Sequence, residues 1–453
     1  MSWLGKLFGR SRDSEEQFDL ASAEPEDTIF AAPAGITAGL RLPRFQGTAS
    51  DKVRPGGHGR LEQIRFRLRN AFTPSRPVLD TDMFAGRRAL LTNLIRSIED
   101  QQLHVVLFGA RGIGKTSTLH ILCQIAKDAR YVVRYTSCGE RVQFDPMFRA
   151  ILEDIPLLYH SDYEPTADEI EEGLTFGSLI GDAPLTVSHV SEILSRISGT
   201  RLLLVFDEFD RVHSPELRQS IAELIKNLSD RASRVQLVIA GVASNLNEII
   251  EQIPSIRRNI LGIPVPVMND EELTEMIRIG EKESGLRFSP EASDLSRELA
   301  SGLPYLMGLI SLHAGLSALD RNKSVVADLD VWAGVRHAFE EIDLRISPET
   351  RYQIETALKA GHERELAILT SSALRSGGLV IPGGEAGGQA NPDIATLTKL
   401  ARDFQLLAPL PKDPQNAFIF VDEGAPLYFW MREADRRAEA ALAAVRGPAS
   451  AAV

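Results

Sequence analysis

GARGIGKT, residues 109–116, follows the apolar run HVVLF (104–108) and leads into the amphipathic stretch KTSTLHILCQIAKDA (115–129). Gly109, Gly114, Lys115 and Thr116 satisfy the pattern G-x-x-x-x-G-K-[ST]. Glycines let a backbone turn tightly enough for successive amides to face one anion. The helix that begins near Gly114 adds its positive N-terminal end. Lys115 is placed to reach the β- and γ-phosphates of a nucleotide, and Thr116 to ligate Mg2+. A plain strand-to-helix turn is the alternative. The apolar strand before and the helix after favour a phosphate cradle formed by Gly109, Ala110, Arg111, Gly112, Ile113, Gly114, Lys115, Thr116 and Ser117.

Further along comes RLLLVFDEFD (201–210). An acid at the end of a buried apolar strand is costly unless a metal or a partner satisfies it. Asp207 is therefore expected to hold Mg2+ through water. Glu208, the next residue, is placed to polarise an attacking water. Capping of the following turn is the competing role for either acid. A third apolar run, VQLVIAG (235–241), ends near Ser244 and Asn245, either of which could touch the γ-phosphate or the attacking water. Arg257 and Arg258 are candidates for an arginine that stabilises transition-state charge; an ordinary solvated pair is the alternative. ATP or GTP with Mg2+ is the ligand this set implies.

The runs at 104–109, 131–138, 201–207 and 235–241, with a weaker one at 260–267, are nearly continuous in apolar character. Such runs suit parallel strands covered on both faces. Interleaved with helical patterns, they imply an α/β doubly wound sheet. After residue 268 the strands stop and helices follow, one of them opened by Ser289 and Pro290. A third unit reads as helices and then a short hairpin, LLAPLPKDPQNAFIFVD (406–422), the order of a winged helix. The expected organisation is a leader with a basic segment (1–77), an α/β domain (78–268), a helical lid (269–345), a winged helix (346–435) and a tail (436–453). The acid-rich stretch 160–186 reads as a surface insertion.

A net charge of −12 argues against a protein coated in nucleic acid. The arginines between 41 and 76 still form a local basic segment. Cys123 and Cys138 lack metal-site spacing, and so few cysteines predict a reducing, cytoplasmic setting. No apolar run reaches membrane-spanning length. Trp3, Leu4, Leu7 and Phe8 would share a helix face, suited to a membrane surface or a docking partner; a frayed tail is the alternative.

With these residues in view, MFAGRRALLTNLIRSIEDQQLHVVLFGARGIGKTSTLHIL (83–122) resembles the opening of AAA+ and STAND-type P-loop ATPases. There an F-x-G-R segment, here Phe84 to Arg87, precedes the phosphate loop. FDEFDRV (206–212) resembles their second acidic motif. SGLPYLMGLI (301–310) resembles the G-x-P helix start of lids in STAND, origin-recognition and transposition-helper ATPases. The resemblance implies ATP as the nucleotide. It makes Ser244 or Asn245 the first sensor and Arg258 or Arg257 an arginine acting across subunits. It also sets Gly302 and Pro304 against the nucleotide, and Leu79 to Phe84 beside the base. The chain departs from the pattern in lacking a G-x-x-R sensor in the lid.

Two functions compete. One is an ATP-hydrolysing switch, slow or regulated, that self-associates through its ATPase domains and controls the assembly of protein complexes. The other is an ATP-dependent DNA-associated ATPase using the winged helix and the basic 41–76 segment. The predicted recognition helix carries Lys399 and Arg402 beside Asp393 and Asp403, and the wing offers Lys412. That is thin for phosphate contacts, and favours the first.

Overall fold

The computed structural model of the protein describes residues 60–164, 166, 168, 173–243, 256–376, 378–386, 389–410 and 415–446. The N-terminal amphipathic stretch, Ser244, Asn245 and Lys412 lie outside the described residues.

Helix α1 (Arg60–Ala71) is followed by α2 (Arg88–Glu99) and then by the first strand, β1 (His104–Gly109). Next come α3 (Lys115–Asp128), β2 (Val132–Ser137), α4 (Phe144–Glu153), α5 (Val187–Ser195), β3 (Leu202–Asp207), α6 (Pro215–Asp230), β4 (Val235–Val242) and β5 (Ile260–Pro264). The five strands form one parallel sheet in the order β2-β3-β4-β1-β5. Alternation along the strands explains why they are apolar throughout. Val105 and Leu107 join one core with α3, while Val106 joins the other with α4, α5 and α6. Every strand runs the same way, so the C-terminal ends of β1, β3 and β4 lie along one edge, where ligands of open α/β sheets bind.

The lid consists of α7 (Asp270–Ser284), β6 (Arg287–Phe288), α8 (Pro290–Ala300), α9 (Pro304–Asp320), β7 (Val325–Val326) and α10 (Asp328–Asp343). The expected helix start at Ser289 is present, its side chain accepting from the Ala292 amide with Pro290 as first helical residue. Helix α1 belongs to this body and not to a separate leader. Leu68 and Phe72 are fully buried, and Phe72 lies where a Cβ on Gly280 of α7 would stand, 2.0 Å from its ring. Leu68 is packed in the same way against Gly315 of α9. The arginines of the segment misdirect here: they mark only the outer face of α1, while Ile64, Leu68 and Phe72 form a buried stripe at helical spacing.

The C-terminal part comprises α11 (Pro348–Lys359), α12 (Glu363–Arg375), β8 (Leu379–Val380), β9 (Glu385–Ala386), β10 (Gln389–Ala390), α13 (Ile394–Phe404), β11 (Leu407–Pro409), β12 (Phe418–Phe420) and α14 (Ala425–Arg446). Strands β11, β12 and β8 form an antiparallel sheet in that order, and β9 pairs with β10. Helix α14 runs through residue 435, where a boundary was expected, and packs on the lid. Trp430 Nε1 donates to the Leu299 carbonyl at 2.8 Å, and the Arg437 guanidinium lies over the Trp332 ring. Among the described residues no helix is long and apolar enough to cross a membrane.

Candidate nucleotide site

The loop after β1 turns through Gly112 (φ +75°) and Gly114 (φ +97°) before α3 begins at Lys115. A side chain at Gly112 would also press on Tyr305, whose Cβ stands 3.1 Å from the position of an added Cβ. Lys115 is buried and its Nζ donates to the carbonyls of Gly109 and Ala110, each at 2.8 Å. Burial pulls its pKa down to about 8, against the opposing pull of Asp210, Asp207 and Glu423. A partly dehydrated ammonium at the N-terminal end of α3 is suited to an anion.

Asp207 is buried at the end of β3, and both of its oxygens are held. Oδ1 accepts from the Glu208 amide at 2.8 Å, and Oδ2 from the Tyr135 hydroxyl at 2.7 Å. Glu208 has left-handed backbone angles (φ 55°, ψ 33°), a conformation that costs a non-glycine residue about 1–3 kcal/mol. Its carboxylate is half exposed and accepts from Ser137 Oγ at 3.2 Å and from Arg211 at 3.0 Å. Asp210 accepts from the Val242 amide at 2.8 Å and so ties this turn to the end of β4. Asp210, Tyr135 and Ser137 were not anticipated as parts of the site. The third acid of FDEFD was a signal for Asp210; nothing local marked the β2 hydroxyls.

The lid closes on the loop. Pro304, the first residue of α9, stands 3.6 Å from the position of a Cβ on Gly114. Gly302 lies beside Val267 and Met268 instead, so of the two lid residues Pro304 is the one against the loop. Val78 donates its amide to Ser117 Oγ at 3.1 Å, drawing the segment before Leu79 across the start of α3. Leu79 itself is exposed. Arg87 is buried, and its guanidinium donates to the carbonyls of Ile113 (3.0 Å) and Pro266. Its amide donates to Glu272 of α7 at 2.7 Å, while Gly86 donates to Glu275 at 2.9 Å. One side chain thus touches the phosphate loop and the exit of β5, and its backbone meets the first lid helix.

Arg257 and Arg258 precede β5, whose Ile260 pairs with His104 at the start of β1. They therefore sit at the far end of the sheet from Gly109, about 17 Å away along the strand. Arg258 is largely exposed, and among the described residues it reaches Asp230 at 4.0 Å.

No cluster of three or more His, Cys, Asp or Glu suited to a metal occurs among the described residues. Thr116 lies in the first turn of α3 and Asp207 ends β3, and a hydroxyl and a carboxylate are oxygen donors of the kind Mg2+ takes. That ion keeps several waters and takes one or two protein oxygens beside substrate phosphates.

The model of the family Novel STAND NTPase 1 matches residues 71–316, more than half of the chain. The chain belongs to that family and is a P-loop NTPase of the STAND/AAA+ kind. No curated protein matches the sequence. Solved structures with similarity include the RuvB Holliday junction branch migration motor of Thermotoga maritima (15% identity, 76% of this chain and 95% of that one, TM-score 0.42). The Walker-type ATPase of Pyrococcus abyssi matches at 15% identity over 79% and 99%, with a TM-score of 0.49. Cdc6p from Pyrobaculum aerophilum matches at 16% over 82% and 98%, with a TM-score of 0.43.

Proposed function

We propose that this STAND NTPase binds ATP with Mg2+, hydrolyses it slowly, and uses the nucleotide state to control the assembly of protein complexes. The observation that carries this reading is the meeting of three parts at one sheet edge: the Lys115 loop, the Asp207–Glu208 pair and the Pro304–Tyr305 start of the lid helix. Lys115 and the loop amides would bind the phosphates, with Thr116 and Asp207 holding Mg2+. Bound Mg2+ neutralises charge on the phosphate oxygens. Glu208 would orient and deprotonate the attacking water. In the present arrangement Arg211 and Ser137 both engage Glu208 Oε2 and hold the carboxylate in one orientation, which supports a slow or regulated rate.

The C-terminal part runs helix–helix, three short strands, helix and two strands, and the pairing of β8 with β12 beside β11 supports reading it as a winged helix. Its third helix, α13, carries Lys399 and Arg402, but Arg402 Nε is bonded to Asp403 at 2.8 Å. A neutralised helix supports a protein-facing role over DNA reading. Glu208→Gln is expected to bind ATP, hydrolyse it at least about 100-fold more slowly, and stay off labelled duplex DNA at low and near-physiological salt. Unchanged hydrolysis removes Glu208 from the reaction. ATP-dependent DNA binding that weakens steeply with salt replaces the protein-assembly reading with a DNA-associated one.

A further inference from the structure

We infer that Tyr135 is a positioning residue for metal binding: its hydroxyl fixes the Asp207 carboxylate, and His120 locks the Tyr135 ring to the helix that bears Thr116. This rests on the Mg2+–ATP reading of the same site.

Three observations converge. First, Tyr135 Oη donates to Asp207 Oδ2 at 2.7 Å while the Glu208 amide holds Oδ1 at 2.8 Å. The carboxylate plane is thereby set, and each oxygen keeps a second lone pair for a ligand. Second, the parallel register pairs Tyr135 with Val205 and Ser137 with Asp207. The tyrosine side chain therefore reaches forward along the strand by two residues, a span a serine or threonine at 135 could not cover. Third, His120 stacks on the Tyr135 ring, centroids 4.5 Å apart and planes at 25°. His120 lies one helical turn beyond Thr116, on the same face of α3. The two elements that carry the metal-binding oxygens, α3 and β3, are thus braced through one tyrosine.

A tyrosine that merely packs would be replaced by phenylalanine without consequence, since the His120 stack needs only the ring. The hydroxyl matters because outer partners of metal-binding carboxylates set their orientation, and removing one typically costs about 10–100-fold in metal affinity.

The test uses full-length Tyr135→Phe and a fluorescent ATP analogue, titrated in EDTA and then against Mg2+ at fixed nucleotide. The expected result is unchanged affinity in EDTA and an Mg2+ half-saturation raised about 10-fold. His120→Leu, which keeps the hydroxyl and loses the stack, should shift the same half-saturation by a smaller factor. Equal losses with and without Mg2+ would mean that Tyr135 only supports the fold, and an unchanged half-saturation would remove it from metal binding. Failure of the wild-type chain to bind the analogue in either medium overturns the nucleotide reading itself.

Discussion

At Lys115 the fold and the ligand compete over one proton. Burial lowers its pKa to about 8, whereas a bound phosphate favours the charged form. ATP binding should therefore take up a proton once the pH exceeds about 8. Affinity should weaken with rising pH from there, by at most about tenfold per unit. The sign for folding is opposite. The unfolded chain holds this proton up to 10.5, so between about 8 and 10.5 the group adds stability as the pH rises, and that stability is lost as the pH falls through 8. Calorimetry at pH 7 and 9 in two buffers of different protonation enthalpy should detect uptake at pH 9 only, and Lys115→Ala should abolish it along with tight binding. No uptake at pH 9 in the wild type would contradict this account. The loop, Asp207 and Glu208 were legible because their chemistry is written in consecutive residues. Tyr135 and Ser137 were not, because their role depends on which strand lies beside β3, and a single sequence does not state the strand order.

Among the elements, the connection between loop and lid runs through the segment before α2. Arg87 has left-handed backbone angles and a buried guanidinium, and burial lowers its pKa. Replacing it with alanine would leave the Ile113 and Pro266 carbonyls without their donor inside the protein. An unpaired buried acceptor costs about 1–3 kcal/mol, so Arg87→Ala should destabilise the chain by about 2–4 kcal/mol. It should also weaken ATP binding, because Ile113 is part of the loop. The neighbouring Arg88 pairs with Glu275 at 3.0 Å, but its side chain is 85% exposed. Arg88→Ala should cost under about 1 kcal/mol. Urea denaturation of the two variants side by side checks the contrast, and similar losses would show that Arg87 is not the brace described. The F-x-G-R resemblance pointed to this segment, yet the target of the arginine needed the fold. The strands were legible within a residue or two from apolar run length, the weaker fifth run excepted, where β5 stops at Pro264. Helix α1 was misassigned for a physical reason: arginines dominate its composition, while its burial depends on Gly280 and Gly315, far away in the chain.

At the scale of the molecule, the position of Arg258 decides whether the site is complete in one copy. It stands before β5, at the end of the sheet opposite the phosphate loop, with a weak contact to Asp230. A rigid sheet cannot bring it to its own Lys115, so any contact with a bound γ-phosphate has to come from a second copy. Hydrolysis per chain should then rise with protein concentration, and Arg258→Ala should remove that rise while leaving nucleotide affinity unchanged. Mixing supplies the decisive comparison. Lys115→Ala has no working site but keeps its arginine; Arg258→Ala keeps its site but lacks the arginine. Each alone should be inactive beyond a low basal rate, and the mixture should recover activity, because the first variant can complete the second. An arginine in the transition state is worth orders of magnitude in rate, so the recovery should stand well clear of background. If the wild-type rate per chain is flat with concentration and the mixture stays silent, Arg258 is a solvated surface residue and the catalytic unit is the single chain.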